Sequence, residues 1–127
     1  MSFTAKYRAG GKKFKLADFP ADDKSGLPDS KEARKLATEA LSAELDQLQD
    51  ILYAQAKHRF LVVLQGMDTS GKDGTIRTVF RAADPLGMRV QAFKATSEAE
   101  RARDYLWRVQ MVVPARGEVV VFNRSDY

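Results

Sequence analysis

The segment Gly66-Met67-Asp68-Thr69-Ser70-Gly71-Lys72-Asp73-Gly74-Thr75 holds the residues whose types and spacing can do chemistry. It fits Gly-x-x-x-x-Gly-Lys, a turn whose glycines let the backbone curl until several N–H groups point inward. A helix starting directly after such a turn adds the positive end of its dipole. Lys72 adds a mobile cation for phosphate oxygens. The chemistry is therefore the gripping of a phosphate group. The plain alternative is a strand-to-helix turn with an exposed lysine.

Two residues set this turn apart from the ordinary triphosphate loop. Asp73 follows the lysine, where a Ser or Thr hydroxyl usually meets Mg²⁺; Thr75 is a possible substitute. Asp68 puts a carboxylate beside the phosphates, which is repulsive unless compensated. Magnesium is the natural compensator, and Asp68 can be its hard oxygen ligand. It can also orient an attacking phosphate, or simply close an Asx turn. All three roles stay open.

A second constellation is Val119-Val120-Val121-Phe122-Asn123-Arg124-Ser125-Asp126-Tyr127. Polar residues at the carboxyl end of a buried parallel strand lie where open α/β sheets bind ligands. Arg124 could grip two phosphate oxygens at once. Asn123 could accept from a metal-bound water. A strand-end turn with a surface arginine fits the same residues.

The elements that must position these groups can be placed in order. Residues 1–30 are polar and broken by glycine and proline, and read as an irregular arm with Lys6, Arg8, Lys12, Lys13 and Lys15 among Tyr7 and Phe14. The arm, 1–29, is expected to stand apart from a domain spanning 30–127. A helix over about 30–57 is predicted, opened by an Asp29/Glu32 capping box and closed by Lys57, His58 and Arg59 at its negative end. Leu41, Leu45, Leu48 and Leu52 share one face as core or packing seam. Phe60 to Leu64 reads as a strand buried on both faces. Helices over 75–83 and 97–109 and strands over 88–93 and 118–122 follow. Strands alternating with helices predict an α/β fold with a parallel sheet.

The bulk composition narrows the function. No cysteine and a single histidine, His58, exclude disulfides, thiolate sites and a histidine metal cluster. Met1 to Gly11 holds no apolar signal core, and no run reaches the ~20 apolar residues of a membrane span. The expectation is a cytoplasmic protein without a membrane partner. The net charge of +4 fits an anionic partner without naming it. Nucleic acid is not expected, since only Tyr7 and Phe14 offer aromatic platforms with basic neighbours.

Taken together, these segments resemble the second polyphosphate kinase family, a group of P-loop kinases. The loop from Gly66 to Thr75 is similar to that family's first motif, and Phe122-Asn123-Arg124-Ser125 to its second. Lys15-Leu16-Ala17-Asp18-Phe19, Asp84-Pro85-Leu86-Gly87, Phe93-Lys94, Asp104-Tyr105-Leu106-Trp107-Arg108 and Pro114-Ala115-Arg116-Gly117-Glu118 follow the pattern in order. Asn-Arg-Ser resembles members that accept nucleoside monophosphates, or both mono- and diphosphates. Asp126 and Thr96 depart from the family pattern.

The resemblance implies Mg²⁺-dependent phosphoryl transfer between inorganic polyphosphate and AMP or ADP, or GMP or GDP. It implies a P-loop kinase-like parallel sheet with flanking helices, cut short here after the third strand, because family members continue past the position of Tyr127. It implies that Asp68 positions the nucleophile and the metal, that Lys72 binds phosphates and that Arg124 steadies the transferring group. Gly66, Met67, Thr69, Ser70, Gly71, Asp73, Gly74, Thr75 and Asn123 would form the phosphate and nucleotide site. Lys12, Lys13 and Lys94 would line the polyphosphate path. A homo-oligomer built through the leucine helix is also expected. Three other readings remain: an ATP-dependent nucleotide kinase, against which Asp73 argues; a non-catalytic fragment that binds polyphosphate or nucleotide; and a structural remnant that packs into a homo-oligomer through the leucine helix.

Overall fold

The structure, a computed structural model, describes residues 15–20 and 22–124. The expectations for the basic arm up to Phe14, including Lys12 and Lys13, and for Ser125, Asp126 and Tyr127 lie outside the described residues. Contacts divide the chain into two compact units, Met1–Leu36 and Ala37–Tyr127. In the first, a 3-10 turn covers Leu16–Asp18. Helix α1, Lys31–Gln55, begins there and lies mostly in the second unit.

The start of α1 corrects the sequence expectation. Ser30, not Asp29, caps it: the Ser30 hydroxyl accepts from the Ala33 N–H at 3.0 Å. Arg34 reaches back to the carbonyls of Pro28 and Asp29 at 2.7 and 2.9 Å, which fixes the entering chain. The helix also ends early. Ala56 takes a left-handed conformation, so Lys57, His58 and Arg59 lie beyond the helix rather than in its last turn.

The second unit is an α/β layer. Strands β1 (Phe60–Leu64), β2 (Met88–Ala92) and β3 (Val119–Asn123) form one sheet in the order β1-β3-β2. Both pairings are parallel, with Leu64 and Ala92 each opposite Asn123. All three carboxyl ends therefore lie on one edge of the sheet. Helix α2 (Lys72–Val79) follows β1, and two single-turn helices, α3 (Glu98–Arg101) and α4 (Trp107–Gln110), follow β2.

Two of these elements differ from the sequence reading for local reasons. Helix α2 begins three residues earlier than expected, at the lysine itself, and stops at Val79. The single helix expected over 97–109 is broken in the middle. The Asp104 carboxylate accepts from the Leu106 N–H at 2.9 Å, and this Asx turn competes with the helical ladder. The apolar spacing from Ala99 to Val109 survives, but on two turns rather than one rod.

The core lies on β3. Val120, Val121 and Phe122 are wholly buried, and alternation along the strand sends them to both faces of the sheet. Val109 and Val112 pack against Phe93, Val120 and Phe122. The Phe93 and Phe122 rings meet edge to face at 4.9 Å, a geometry that favours the positive ring edge over the negative face. Strand β1 was expected to be buried on both faces. It is an edge strand instead, with Phe60 57% exposed and Leu61 and Val63 also open.

Helix α1 holds the connection from α2 to β2 with polar groups, not with its leucines. The Ser42 hydroxyl donates to the Val79 carbonyl at 2.8 Å and lies 3.2 Å from that of Thr78, which satisfies the end of α2. Gln49 is buried, and its carbonyl accepts from the Asp84 N–H at 2.8 Å. The approach is close: a Cβ on Gly87 would stand 2.2 Å from the Gln49 amide nitrogen. On the predicted leucine face, Leu45 and Leu52 are half-buried, whereas Leu41 and Leu48 are exposed.

Candidate phosphate site

The residues singled out in the sequence converge at the carboxyl edge of the sheet. Thr69, Ser70, Gly71, Lys72 and Asp73 line a cleft of about 290 Å³ together with Asn123 and Arg124. The first five come from the β1–α2 turn and the last two from the end of β3. Parallel pairing with Leu64 opposite Asn123 makes this meeting unavoidable. The Arg124 N–H continues the ladder by donating to the Leu64 carbonyl at 3.0 Å. Gly66, Met67, Asp68, Gly74 and Thr75 lie in the same loop and first turn but outside the lining.

Local backbone chemistry shapes the turn. Gly71 sits at φ 86°, directly before α2, where a side chain would be strained. Thr69 and Arg124 also have positive φ, 63° and 69°, which L-residues adopt at a cost. Two strained non-glycine residues around one cleft are the kind of strain that a binding site retains.

Lys72 is not simply a mobile cation. Its ammonium donates to the Gly66 and Met67 carbonyls at 2.8 and 2.7 Å and to the Ser70 hydroxyl at 3.0 Å. Three donors meet three oxygens of the loop, so the charge is held over the turn. Thr75, the possible substitute hydroxyl, donates to the Gly71 carbonyl at 3.1 Å within its own helix.

Arg124 donates to the Asp68 carboxylate and forms an ion pair with it. Both side chains are more than half exposed, and an exposed pair contributes roughly 0–1 kcal/mol. Orientation, not stability, is what the pair supplies: it ties the strand-end arginine to the loop. Asn123 makes a second bridge, donating to the Asp73 carboxylate at 2.6 Å. Its own carbonyl oxygen is buried with no hydrogen-bond partner. Of the Asn123 amide, the NH₂ is thus engaged and the buried oxygen is left without a protein partner.

The donor set bears on magnesium. Among the described residues, no group of three acidic or histidine side chains gathers to form a cage. Mg²⁺ needs none, since it is commonly held by one or two carboxylates together with substrate phosphates and waters. Asp68, largely exposed and paired with the cleft-lining Arg124, fits that use. Lys94 follows β2 at the same edge of the sheet, outside the cleft lining, and is exposed.

Two features of the site region went unread in the sequence. Ser97 and Glu100 form a reciprocal capping box, Ser-x-x-Glu, whose spacing was available. Arg108 is buried, donates to the Lys94 carbonyl at 2.8 Å, and lies 4.9 Å from the Phe93 ring centroid. Nothing in its spacing announces that burial.

A parallel sheet whose strand-ending turn runs into the glycine-rich loop and the helix led by Lys72, with an arginine delivered from the neighbouring strand, is a kinase-like α/β domain of the phosphate-loop kind. The chain belongs to the polyphosphate kinase 2 family, whose model matches residues 28–127. It is 50% identical over 115 residues to the AMP/ADP-polyphosphate phosphotransferase of Meiothermus ruber, covering 91% of this chain and 43% of that protein. It is 37% identical over 109 residues to the GDP-polyphosphate phosphotransferase of Mycolicibacterium smegmatis, covering 86% of this chain and 37% of the relative. Polyphosphate kinase 2 from Arthrobacter aurescens superposes with a TM-score of 0.84 at 40% identity, over 91% of this chain and 43% of that one. The chain thus spans less than half the length of these relatives.

Proposed function

We propose that this chain carries the phosphate-chain grip of a polyphosphate:nucleotide phosphotransferase, acting with AMP, ADP or their guanine counterparts. The single observation that carries the reading is the arrival of Arg124 in the cleft formed by Thr69 to Asp73. The names of the relatives supply the chemical class. In this reading the arm 1–29 is a separate segment and 30–127 is the catalytic part. The protein works in the cytoplasm and assembles into a homo-oligomer, for which exposed Leu41 and Leu48 offer a surface. Among the described residues no helix is long and apolar enough to cross a membrane.

The residues divide the work. The inward N–H groups of the loop and the amino end of α2 receive phosphate oxygens. The Lys72 ammonium, already over the turn, lies where it can trade loop oxygens for phosphate oxygens. Arg124 offers its planar fork to the group in transfer, and Asp68 fixes where that fork points. Asp68 and phosphate oxygens would hold Mg²⁺, which supplies charge neutralisation when bound. Asn123 keeps Asp73 from intruding on the phosphates. Transfer of this kind depends chiefly on positioning and electrostatics.

The test is a transfer assay with inorganic polyphosphate, AMP or ADP, and Mg²⁺, paired with binding titrations of tripolyphosphate. Lys72→Ala is expected to weaken tripolyphosphate binding and abolish transfer. Asp68→Asn is expected to keep the fold, lose most Mg²⁺-dependent transfer and retain binding. An unchanged rate and Mg²⁺ requirement in Asp68→Asn would reduce Asp68 to a turn residue. Binding without any transfer by the unsubstituted chain would decide for the non-catalytic reading.

A further inference from the structure

Both cations that line the phosphate cleft are engaged by the protein's own oxygens. Lys72 has three ammonium donors, and they meet the Gly66 carbonyl at 2.8 Å, the Met67 carbonyl at 2.7 Å and the Ser70 hydroxyl at 3.0 Å. Arg124 donates to the Asp68 carboxylate and is ion-paired with it. A guanidinium recognises carboxylate and phosphate by the same geometry, so the Asp68 carboxylate stands in for a phosphate on Arg124. The contact that aims the arginine also fills it.

The charges agree. Lys72, Asp73 and Arg124 line the cleft, and Asp68 joins them through Arg124. Two cations against two carboxylates leave these four groups with a formal balance of zero. In that state they offer an incoming polyanion no net attraction.

The two carboxylates are held differently. Asp73 accepts from the neutral Asn123 amide at 2.6 Å. Asp68 faces a cation instead, and its side chain is 76% exposed while that of Arg124 is 54% exposed. An ion pair in contact with water is easily opened. Opening it does not release the arginine from the site. The Arg124 N–H donates to the Leu64 carbonyl at 3.0 Å, so the backbone keeps the guanidinium at the cleft.

We propose that the Asp68–Arg124 pair is an autoinhibitory latch: without metal, Asp68 occupies Arg124 in place of a phosphate, and on taking up Mg²⁺ it hands the arginine over to the phosphate chain. This rests on the phosphotransferase reading above and names the regulation of its cleft. A divalent ion on Asp68 turns the formal balance of the four groups from zero to a surplus of two positive charges. Metal and phosphate chain then strengthen each other's binding, because coupling between two sites is reciprocal.

The experiment is a double-mutant cycle read by calorimetric titration with inorganic tripolyphosphate. It uses the parent chain, Asp68→Asn, Arg124→Asn and the double variant, each in EDTA and again in saturating Mg²⁺. Asparagine is chosen at position 124 because it tolerates the left-handed backbone, φ 69°, found there. Circular dichroism checks each fold. Comparing variants at one metal level removes the effect of Mg²⁺ on the charge of the ligand itself.

In EDTA, Arg124→Asn should lower affinity less than about twofold, since the arginine is already engaged; in Mg²⁺ it should lower it at least about tenfold, as loss of a hydrogen bond between charged groups does. Asp68→Asn should raise the EDTA affinity about fivefold, the upper worth of an exposed pair. In the double variant that gain should shrink to less than about twofold, because the cycle isolates what the pair contributes. A gain of the same size with and without Arg124 means that Asp68 acts by repulsion alone, and overturns the latch. Equal losses for Arg124→Asn at both metal levels also overturn it. In either case, tripolyphosphate binding that needs Lys72 leaves the phosphate-loop reading standing. No tripolyphosphate binding by any variant at either metal level removes both.

Discussion

The Asn123 amide donates to the Asp73 carboxylate at 2.6 Å, tying the last residue of the central strand to the first turn of the helix behind the loop. The acid stands where a helix dipole favours it, and the amide holds it without adding charge. Asn123→Asp would set a second carboxylate against the first. Like charges at that range raise the pKa of one of them. A folded value raised above the unfolded one means stability present at low pH and lost as pH rises through it. We therefore expect the variant to melt lower at pH 7 than at pH 5, by an amount the parent does not show. The lost hydrogen bond is exposed and contributes about 0.5–1 kcal/mol. Added Mg²⁺ should recover more of the melting temperature in the variant than in the parent.

Two neighbouring glycines should respond to alanine with opposite signs. A Cβ on either meets nothing within 4 Å, so packing does not decide. Gly71 has φ 86° and would be strained by about 1–2 kcal/mol. Gly74 lies inside α2 without a positive φ, where alanine is favoured by about 0.5–1 kcal/mol. Urea melts of Gly71→Ala and Gly74→Ala should move to lower and higher midpoints respectively. Equal shifts would mean that the turn is not held at its left-handed residue.

The capping box of α3 carries an acid-sensitive contribution. The Glu100 carboxyl is held below the ordinary glutamate range, first by the Ser97 N–H and then by the Ser97 hydroxyl, with Arg108 adding to them against the effect of burial. A depressed folded value gives stability at neutral pH that fades as pH falls through it. Melting temperatures of the parent and Glu100→Gln should therefore differ at pH 7 and converge below the ordinary value of about 4.3. Ser97→Ala should cost about 1 kcal/mol at pH 7. A gap between parent and Glu100→Gln that persists at pH 3 would show that Glu100 acts through packing.

Binding of a phosphate chain should weaken steeply with salt, because several lysines and arginines would release counterions. Deleting residues 1–15 should lower the slope if the basic arm takes part. Isothermal titrations of polyphosphate from low to high salt check both. A flat response would remove the polyanion from the account.

The sequence revealed the site more readily than the frame around it. Glycine and lysine spacing marked the loop because backbone conformation demands those residue types, and strand β3 was marked by an unbroken apolar run. Helix α1 misled because its leucine repeat is only half used, while the polar groups of Ser42 and Gln49 make its contacts. Side-chain hydrogen bonds across 35 or more residues leave no periodic trace. The exposed face of β1 was hidden for a related reason: an apolar run reports what a strand can bury, not which neighbours it has. The pairing of Asn123 with Asp73 needed the strand order, which no local pattern encodes.

The placing of β3 between β1 and β2 has a consequence for synthesis on the ribosome. Among the described residues β1 and β2 do not pair with each other; each is zipped to β3, Phe60 and Met88 both meeting Val119. The nascent chain must therefore carry two apolar strands unpaired until the third has left the exit tunnel. Closing both loops together is a late, non-local event with a large entropic toll. The phosphate loop is assembled in the same event, since Asn123 and Arg124 arrive with that strand. A chain released before residue 124 would hold neither a sheet nor a cleft, so folding and the capacity to grip phosphate should appear together during translation.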